Sequence, residues 1–131
     1  MEDSELIKIA DKAKENSYSP YSGFKVGACV LTEKGNVFTG CNVENISFGA
    51  SICAERTAIL KAVSEGEKNF KKIAVMSSGK NFTYPCGICI QVLFEFMPEG
   101  ELIVSNNDGK IEKYKIKDLM PYQFNEKLKK Y

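Results

Sequence analysis

Residues 53–65 read Cys53-Ala54-Glu55-Arg56-Thr57-Ala58-Ile59-Leu60-Lys61-Ala62-Val63-Ser64-Glu65, and Gly66 follows. Ala54, Ala58, Ile59, Ala62 and Val63 share one helical stripe, and glycine is typical just past a helix end. The segment is therefore a helix that opens on a thiol. Cys86 to Met97 repeats the arrangement, ending where Pro98 forbids continuation. Between the two helices, Ile73 to Met76 is a compact buried-strand run and Ser77 to Pro85 a loop. A strand from Glu101 to Ser105 comes next, and the alternation calls for right-handed crossovers over a partly parallel sheet.

Toward the N-terminus, Leu6, Ile9, Ala10 and Ala13 place a helix from Glu5 to about Lys14, ending near Asn16 before the turn-rich Ser17 to Gly23. Val26 to Leu31 and Val37 to Cys41 flank Glu33-Lys34-Gly35-Asn36 as a hairpin, and an irregular segment, Asn42 to Ser51, leads to Cys53. Toward the C-terminus, Asn106-Asn107-Asp108-Gly109 is a turn, Lys110 to Ile116 a last strand, and the tail from Asp118 weakly helical. Residues 1–131 thus form one domain, an α/β fold in three layers (α/β/α) around a five-stranded mixed sheet. In such a sheet ligands bind where loops leave the carboxyl ends of parallel strands, and both thiol-headed helices start at such places.

The chain carries 18 Lys plus Arg against 17 Asp plus Glu, a net charge of +1, so it lacks the basic excess that binding a nucleic acid requires. Its first residues, Met1-Glu2-Asp3-Ser4-Glu5, are acidic where a signal peptide would be basic. No apolar run approaches the roughly 18 residues of a membrane span. A cytoplasmic location with no membrane partner is expected. Histidine is absent, which removes every Ser-His, Cys-His and His-ligand arrangement. Five cysteines in a reducing compartment then point to metal or catalysis.

Cys53, Cys86 and Cys89 can converge, because Cys86-Gly87-Ile88-Cys89 presents two thiols one helical turn apart and the sheet brings the two helix starts together. Helix-end N–H groups favour their thiolate forms. Structural zinc usually takes four protein ligands, whereas three leave a position for a water whose pKa the metal lowers. Glu55, two residues past Cys53, is placed to take a proton from that water and pass it to a leaving amine. A Cys or His ligand, any residue, Glu, then Pro-Cys-x-x-Cys is the signature of zinc deaminases, and Cys53-Ala54-Glu55 with Pro85-Cys86-Gly87-Ile88-Cys89 matches it.

From Tyr18 to about Glu95 the chain resembles the small, homotetrameric, zinc-dependent class of cytidine deaminases. The likeness rests on Tyr18-Ser19-Pro20-Tyr21-Ser22, Val26-Gly27-Ala28, Gly40-Cys41-Asn42-Val43-Glu44-Asn45, Cys53-Ala54-Glu55-Arg56-Thr57-Ala58 and Pro85-Cys86-Gly87. The resemblance implies hydrolytic deamination of cytidine and 2′-deoxycytidine in pyrimidine salvage, with Zn²⁺ on Cys53, Cys86 and Cys89. It implies that Phe24 stacks on the pyrimidine, that Asn42 and Glu44 hydrogen-bond the ribose hydroxyls, and that Ala54 joins them in holding substrate. Arg56 would donate to the zinc thiolates. Phe124, which caps the base in this resemblance, and Phe48 would reach the site across a subunit interface. Two departures stand out: the family usually has Tyr at Phe48 and Arg at Ile90.

Other readings use the same residues. A deaminase of the blasticidin-S type, or one acting on another aminopyrimidine nucleoside, shares the zinc motifs, although Asn42-Val43-Glu44-Asn45 favours cytidine. A non-catalytic zinc protein or polynucleotide-editing subunit is disfavoured by Glu55 and by the near-zero charge. Cys29 and Cys41, in apolar strands, are expected to be core thiols. Lys127, Lys129 and Lys130 are expected on a solvated helix face.

Overall fold

The computed structural model describes residues 1–122 and 124. In chain order it contains α1 (Asp3–Ala13), β1 (Val26–Thr32), β2 (Val37–Cys41), α2 (Ala54–Ser64), β3 (Phe70–Ser77), α3 (Gly87–Phe96), β4 (Glu101–Ser105) and β5 (Ile111–Lys115). Short 3₁₀ turns occupy Lys14–Asn16, Phe48–Ala50 and Ile116–Asp118. The expected helical tail is not borne out over the described residues: the Ile116–Asp118 turn ends at its expected start, and Leu119 to Tyr122 and Phe124 are turn or irregular, with Pro121 withholding a backbone N–H from any continuing helix; the remaining tail lies outside the described residues. Lys127, Lys129 and Lys130 lie outside them.

The strands form one sheet in the order β2-β1-β3-β4-β5, and β3–β4 is the parallel pair. Because β1 runs antiparallel to both β2 and β3, these two outer neighbours point the same way as β4. Their carboxyl ends, Cys41 and Ser77, share one edge with the start of β1, as the pairs Gly27↔Cys41 and Val26↔Ser77 show.

Every residue of β1 is buried, as expected for a strand covered on both faces. Leu6, Ile7 and Ala10 of α1 pack with Cys29, Leu31, Ala74 and Ile103 on one face. Ala58, Ile59 and Ala62 of α2 and Leu93 of α3 pack with Val30, Ile73, Val75, Leu102 and Val104 on the other. Two glycines permit this closeness. A Cβ on Gly27 would stand 2.0 Å from the Ala10 carbonyl oxygen, and one on Gly40 would stand 2.4 Å from the Ala58 nitrogen. Any side chain at either position would lift a helix off the sheet.

Two elements run longer than their apolar patterns. β3 starts at Phe70, not Ile73, since Phe70 is buried and pairs with Thr32 across a register shift. Lys71 and Lys72 masked this start. Lys72 turns its ammonium to Asp3 of α1 at 2.8 Å, and Lys113 reaches the same carboxylate at 3.2 Å. α1 begins at Asp3 because Glu2 and Glu5 form a reciprocal capping box around its first turn. Among the described residues no helix is long and apolar enough to cross a membrane.

Candidate active site

Cys53 and Cys86 are the N-cap residues of α2 and α3. An N-cap side chain points back toward the open N–H groups of its own first turn, so both sulfurs sit where positive helix-end potential collects. Cys89, one turn into α3, is fully buried. The three Sγ atoms lie within 4.8 Å of one another, and Cys53 and Cys86 are 3.9 Å apart. Thiolates about 2.3 Å from a tetrahedral zinc ion stand about 3.8 Å from each other, so the cluster fits that ion with little adjustment.

Protonation in the cluster agrees with a cation site. The Cys53 thiol is drawn down to about 5, first by its hydrogen bond with Cys89 and then by the Arg56 guanidinium, against the opposing effect of burial. Cys89 is pushed up, because it shares a proton with Cys53 and is buried. The pair gives up one proton readily and resists losing the second, a resistance that a bound divalent metal removes. Arg56 Nη2 donates to Cys53 Sγ at 3.3 Å, while its buried Nε has no partner among the described residues.

Glu55 is 4% exposed, and its burial lifts the carboxyl to about 7, with the Cys53 charge adding to the shift and Arg56 opposing it. A carboxyl poised near neutral pH both takes and returns a proton. Ala54, fully buried, is the first residue of α2, so its N–H lacks an intrahelical acceptor.

Above the thiols lies an open pocket of about 460 Å³, walled by Phe24, Asn42, Glu44, Phe48, Ala54, Glu55, Arg56, Tyr84 and Cys86 among others. That volume lies within the range of small-ligand sites. Asn42 and Glu44 leave the end of β2 through a folded excursion in which Val43 pairs with both Tyr18 and Ile52, returning the chain to Cys53. This excursion seats Glu44 and Cys53 in one pocket.

The Asn42 side chain is already occupied. Its Nδ2 donates to the Phe24 carbonyl at 2.8 Å, and its Oδ1 accepts from the Val26 N–H at 2.9 Å and from the Ser17 hydroxyl. One amide proton remains for a ligand. Glu44 Oε1 accepts from the N–H groups of Tyr21 and Ser22, at 3.0 and 3.1 Å, and Oε2 accepts from the Ser22 hydroxyl. The Ser22 hydroxyl bond, and after it the two backbone bonds, hold the carboxyl below its ordinary range against the opposing effect of desolvation.

Most sequence-predicted residues therefore meet in one place, with two qualifications. Phe48 borders the pocket of its own chain, its ring 6.3 Å from that of Tyr21. Phe124 does not line it; it is exposed, and its carbonyl accepts from Gln91 Nε2 at 2.7 Å. Sequence reasoning did not single out Ser22 or Tyr84. Ser22 stands inside the Tyr18-to-Ser22 block, and its hydroxyl was the available signal. The Tyr84 hydroxyl donates to Glu112 at 3.3 Å beside Tyr114, a contact from β5 that no local pattern announces.

Residues 1–105 match the family described as the cytidine and deoxycytidylate deaminase zinc-binding region. The chain is 43% identical over 120 residues to the cytidine deaminase of Halalkalibacterium halodurans, covering 91% of each protein. It is 45% identical over 130 residues to a probable cytidine deaminase of Dictyostelium discoideum, covering 96% of this chain and 88% of that protein. The crystal structure of cytidine deaminase from Burkholderia pseudomallei superposes with a TM-score of 0.91 at 42% identity, over 95% of this chain and all of that one. With its thiol cluster, buried glutamate and this degree of likeness, the chain belongs to the zinc-dependent cytidine and deoxycytidylate deaminase family.

Proposed function

We propose that the protein hydrolytically deaminates cytidine and 2′-deoxycytidine, giving uridine or 2′-deoxyuridine and ammonia. The observation that carries this is the buried Glu55 beside a three-thiol cluster at the floor of a nucleoside-sized pocket. Cys53, Cys86 and Cys89 hold the zinc, which supplies Lewis-acid activation of a water molecule when bound. Glu55 relays the two protons of the attacking water as its oxygen bonds to C4, one to ring N3 and one to the departing amine. The C4–N bond breaks and no oxidant or reductant is consumed. Phe24 gives the base an apolar face, the Ala54 N–H serves a carbonyl of the base, and Glu44 and the spare Asn42 proton bind sugar hydroxyls.

Two features of the pocket support a nucleoside over a phosphorylated or polymeric substrate. Among the described residues Arg56 is the one cation lining the pocket and is engaged by Cys53, while Glu44 brings negative charge to the sugar side. Purified protein incubated with cytidine, 2′-deoxycytidine, blasticidin S and an oligonucleotide, with ammonia as the readout, tests the assignment. Release from the two cytidine nucleosides is expected, and release from blasticidin S alone would refute it.

The working unit we infer is a homotetramer in the cytoplasm, where the free thiols are stable. Ile46 and Phe48, 81% and 77% exposed beside the pocket, and Ile88 and Phe124 near α3 are apolar surface that a partner subunit would cover. Light scattering of the purified protein checks the assembly; an active monomer would contradict it.

A further inference from the structure

The Ser22 hydroxyl connects two side chains that approach the substrate from different parts of the chain. Ser22 Oγ donates to Glu44 Oε2 and accepts from the Phe24 N–H at 3.0 Å. Phe24 is thereby held at both ends of its backbone, its N–H by Ser22 and its carbonyl by Asn42 Nδ2. A carboxylate offers about four acceptor positions. Three on Glu44 are filled, two by the backbone N–H groups of Tyr21 and Ser22 and one by this hydroxyl, so the hydroxyl fixes which lone pair faces the pocket.

We infer that Ser22 is a positioning residue for substrate binding, locking the Glu44 carboxylate and the Phe24 backbone into one frame so that sugar and base are grasped at a fixed separation. This rests on the substrate-binding roles given above to Glu44 and Phe24. Ser22 touches neither Glu55 nor the thiols, so its loss acts on binding and leaves the chemistry in place. Without the hydroxyl, Glu44 keeps its two backbone donors but can turn about its last bond, and the Phe24 N–H loses its acceptor.

Ser22→Ala should raise KM for cytidine about tenfold, equivalent to ~1.4 kcal/mol and to losing one hydrogen bond to a charged group. Its kcat should stay within about twofold and its zinc content should stay unchanged, while thermal unfolding stays cooperative. Ser22→Thr retains a hydroxyl at an exposed position and should restore KM. A double-mutant cycle isolates the frame. In a Glu44→Ala background, adding Ser22→Ala should raise KM by much less than it does alone, since one of the groups it positions is gone. A product of the two single effects, an unchanged KM in Ser22→Ala, or a fall in kcat without a rise in KM would each overturn the proposal. Glu44→Ala and Phe24→Ala measured alone separate the two levels. If both leave KM unchanged, Glu44 and Phe24 are not substrate contacts. If both raise it while Ser22→Ala does not, the contacts stand and Ser22 has no part in placing them.

Discussion

Arg56→Gln tests how the site bears its own charge. Three thiolates and Zn²⁺ sum to −1, and the carboxylate of Glu55 adds to that, so the cluster needs nearby positive charge. Arg56 Nη2 stands 3.3 Å from Cys53 Sγ, and at an effective dielectric of about 20 a full ion pair at that distance is worth about 5 kcal/mol. Desolvation of the guanidinium offsets part of this. Its buried Nε lacks a hydrogen-bond partner among the described residues, a cost of about 1–3 kcal/mol that the shorter, neutral glutamine does not incur. The difference, about 2–4 kcal/mol, corresponds to a loss of roughly 30- to 700-fold, whose lower end overlaps the 10- to 100-fold span typical of residues that support metal ligands. Zinc retention against a graded chelator and kcat/KM for cytidine on metal-loaded protein measure where the loss falls. Zinc affinity and turnover both equal to those of the unaltered protein would refute the need for compensation.

Further outcomes follow from the same geometry. Glu55→Gln should keep its zinc and lose about 10²–10⁴-fold in kcat, as removal of a proton carrier does; near-normal turnover would take Glu55 out of the reaction. Cys86→Ala leaves two thiolates and should lose both metal and activity, so one zinc per chain in that variant would reject the ligand set. A Cβ on Gly79 would lie 3.1 Å from Phe24 Cε1, so Gly79→Ala should shift the ring and raise KM about threefold with kcat little changed; an unchanged KM would argue against Phe24 as the stacking surface. For Asp3, burial raises the carboxyl pKa, but the bonds and charges of Lys72 and Lys113 outweigh it and leave it lowered. A lowered folded value means stability that is present above the unfolded pKa of about 3.9 and lost as pH falls through the folded one. Asp3→Asn should therefore cost about 0.5–1 kcal/mol near neutrality and little in strong acid, read from urea midpoints across pH; an equal loss at every pH would exclude the ion pairs as its origin.

Elements with a clear apolar period were legible from sequence. α2 and α3 carry their stripes within one segment, stop at Gly66 and Pro98, and appear within a residue or so of their expected bounds. β4 was legible throughout because all its residues but the first are buried. β3 was not, since half of its opening turn of sequence is lysine: whether a lysine sits in a strand depends on the partner that receives its ammonium, and Asp3 is 69 residues away. The excursion from Asn42 to Cys53 was likewise unreadable, because backbone bonds to Tyr18 and Ile52 shape it and those carry no residue signature.

The zinc ligands and Glu55 could be read from sequence because their chemistry dictates residue type. With histidine absent, ligands must come from thiols and carboxylates, and the Cys53-x-Glu55 and Cys86-x-x-Cys89 spacings single out three thiols with an acid beside them. The substrate frame obeys a different logic. Asn42 looks like a sugar contact, yet most of its amide is spent on the backbone of Phe24 and Val26, and Ser22 matters through a carboxylate and a backbone N–H. Such partners are fixed only when the end of β2 meets the start of β1. Ile90 illustrates the same limit from the opposite side. The resemblance implies an arginine there, and among the described residues Arg56 is the one cation lining the pocket. Charge compensation then falls on that guanidinium and on the N-termini of α2 and α3. If those dipoles carry more of it than Arg56 does, Arg56→Gln will be mild while Cys86, at the head of α3, will remain indispensable.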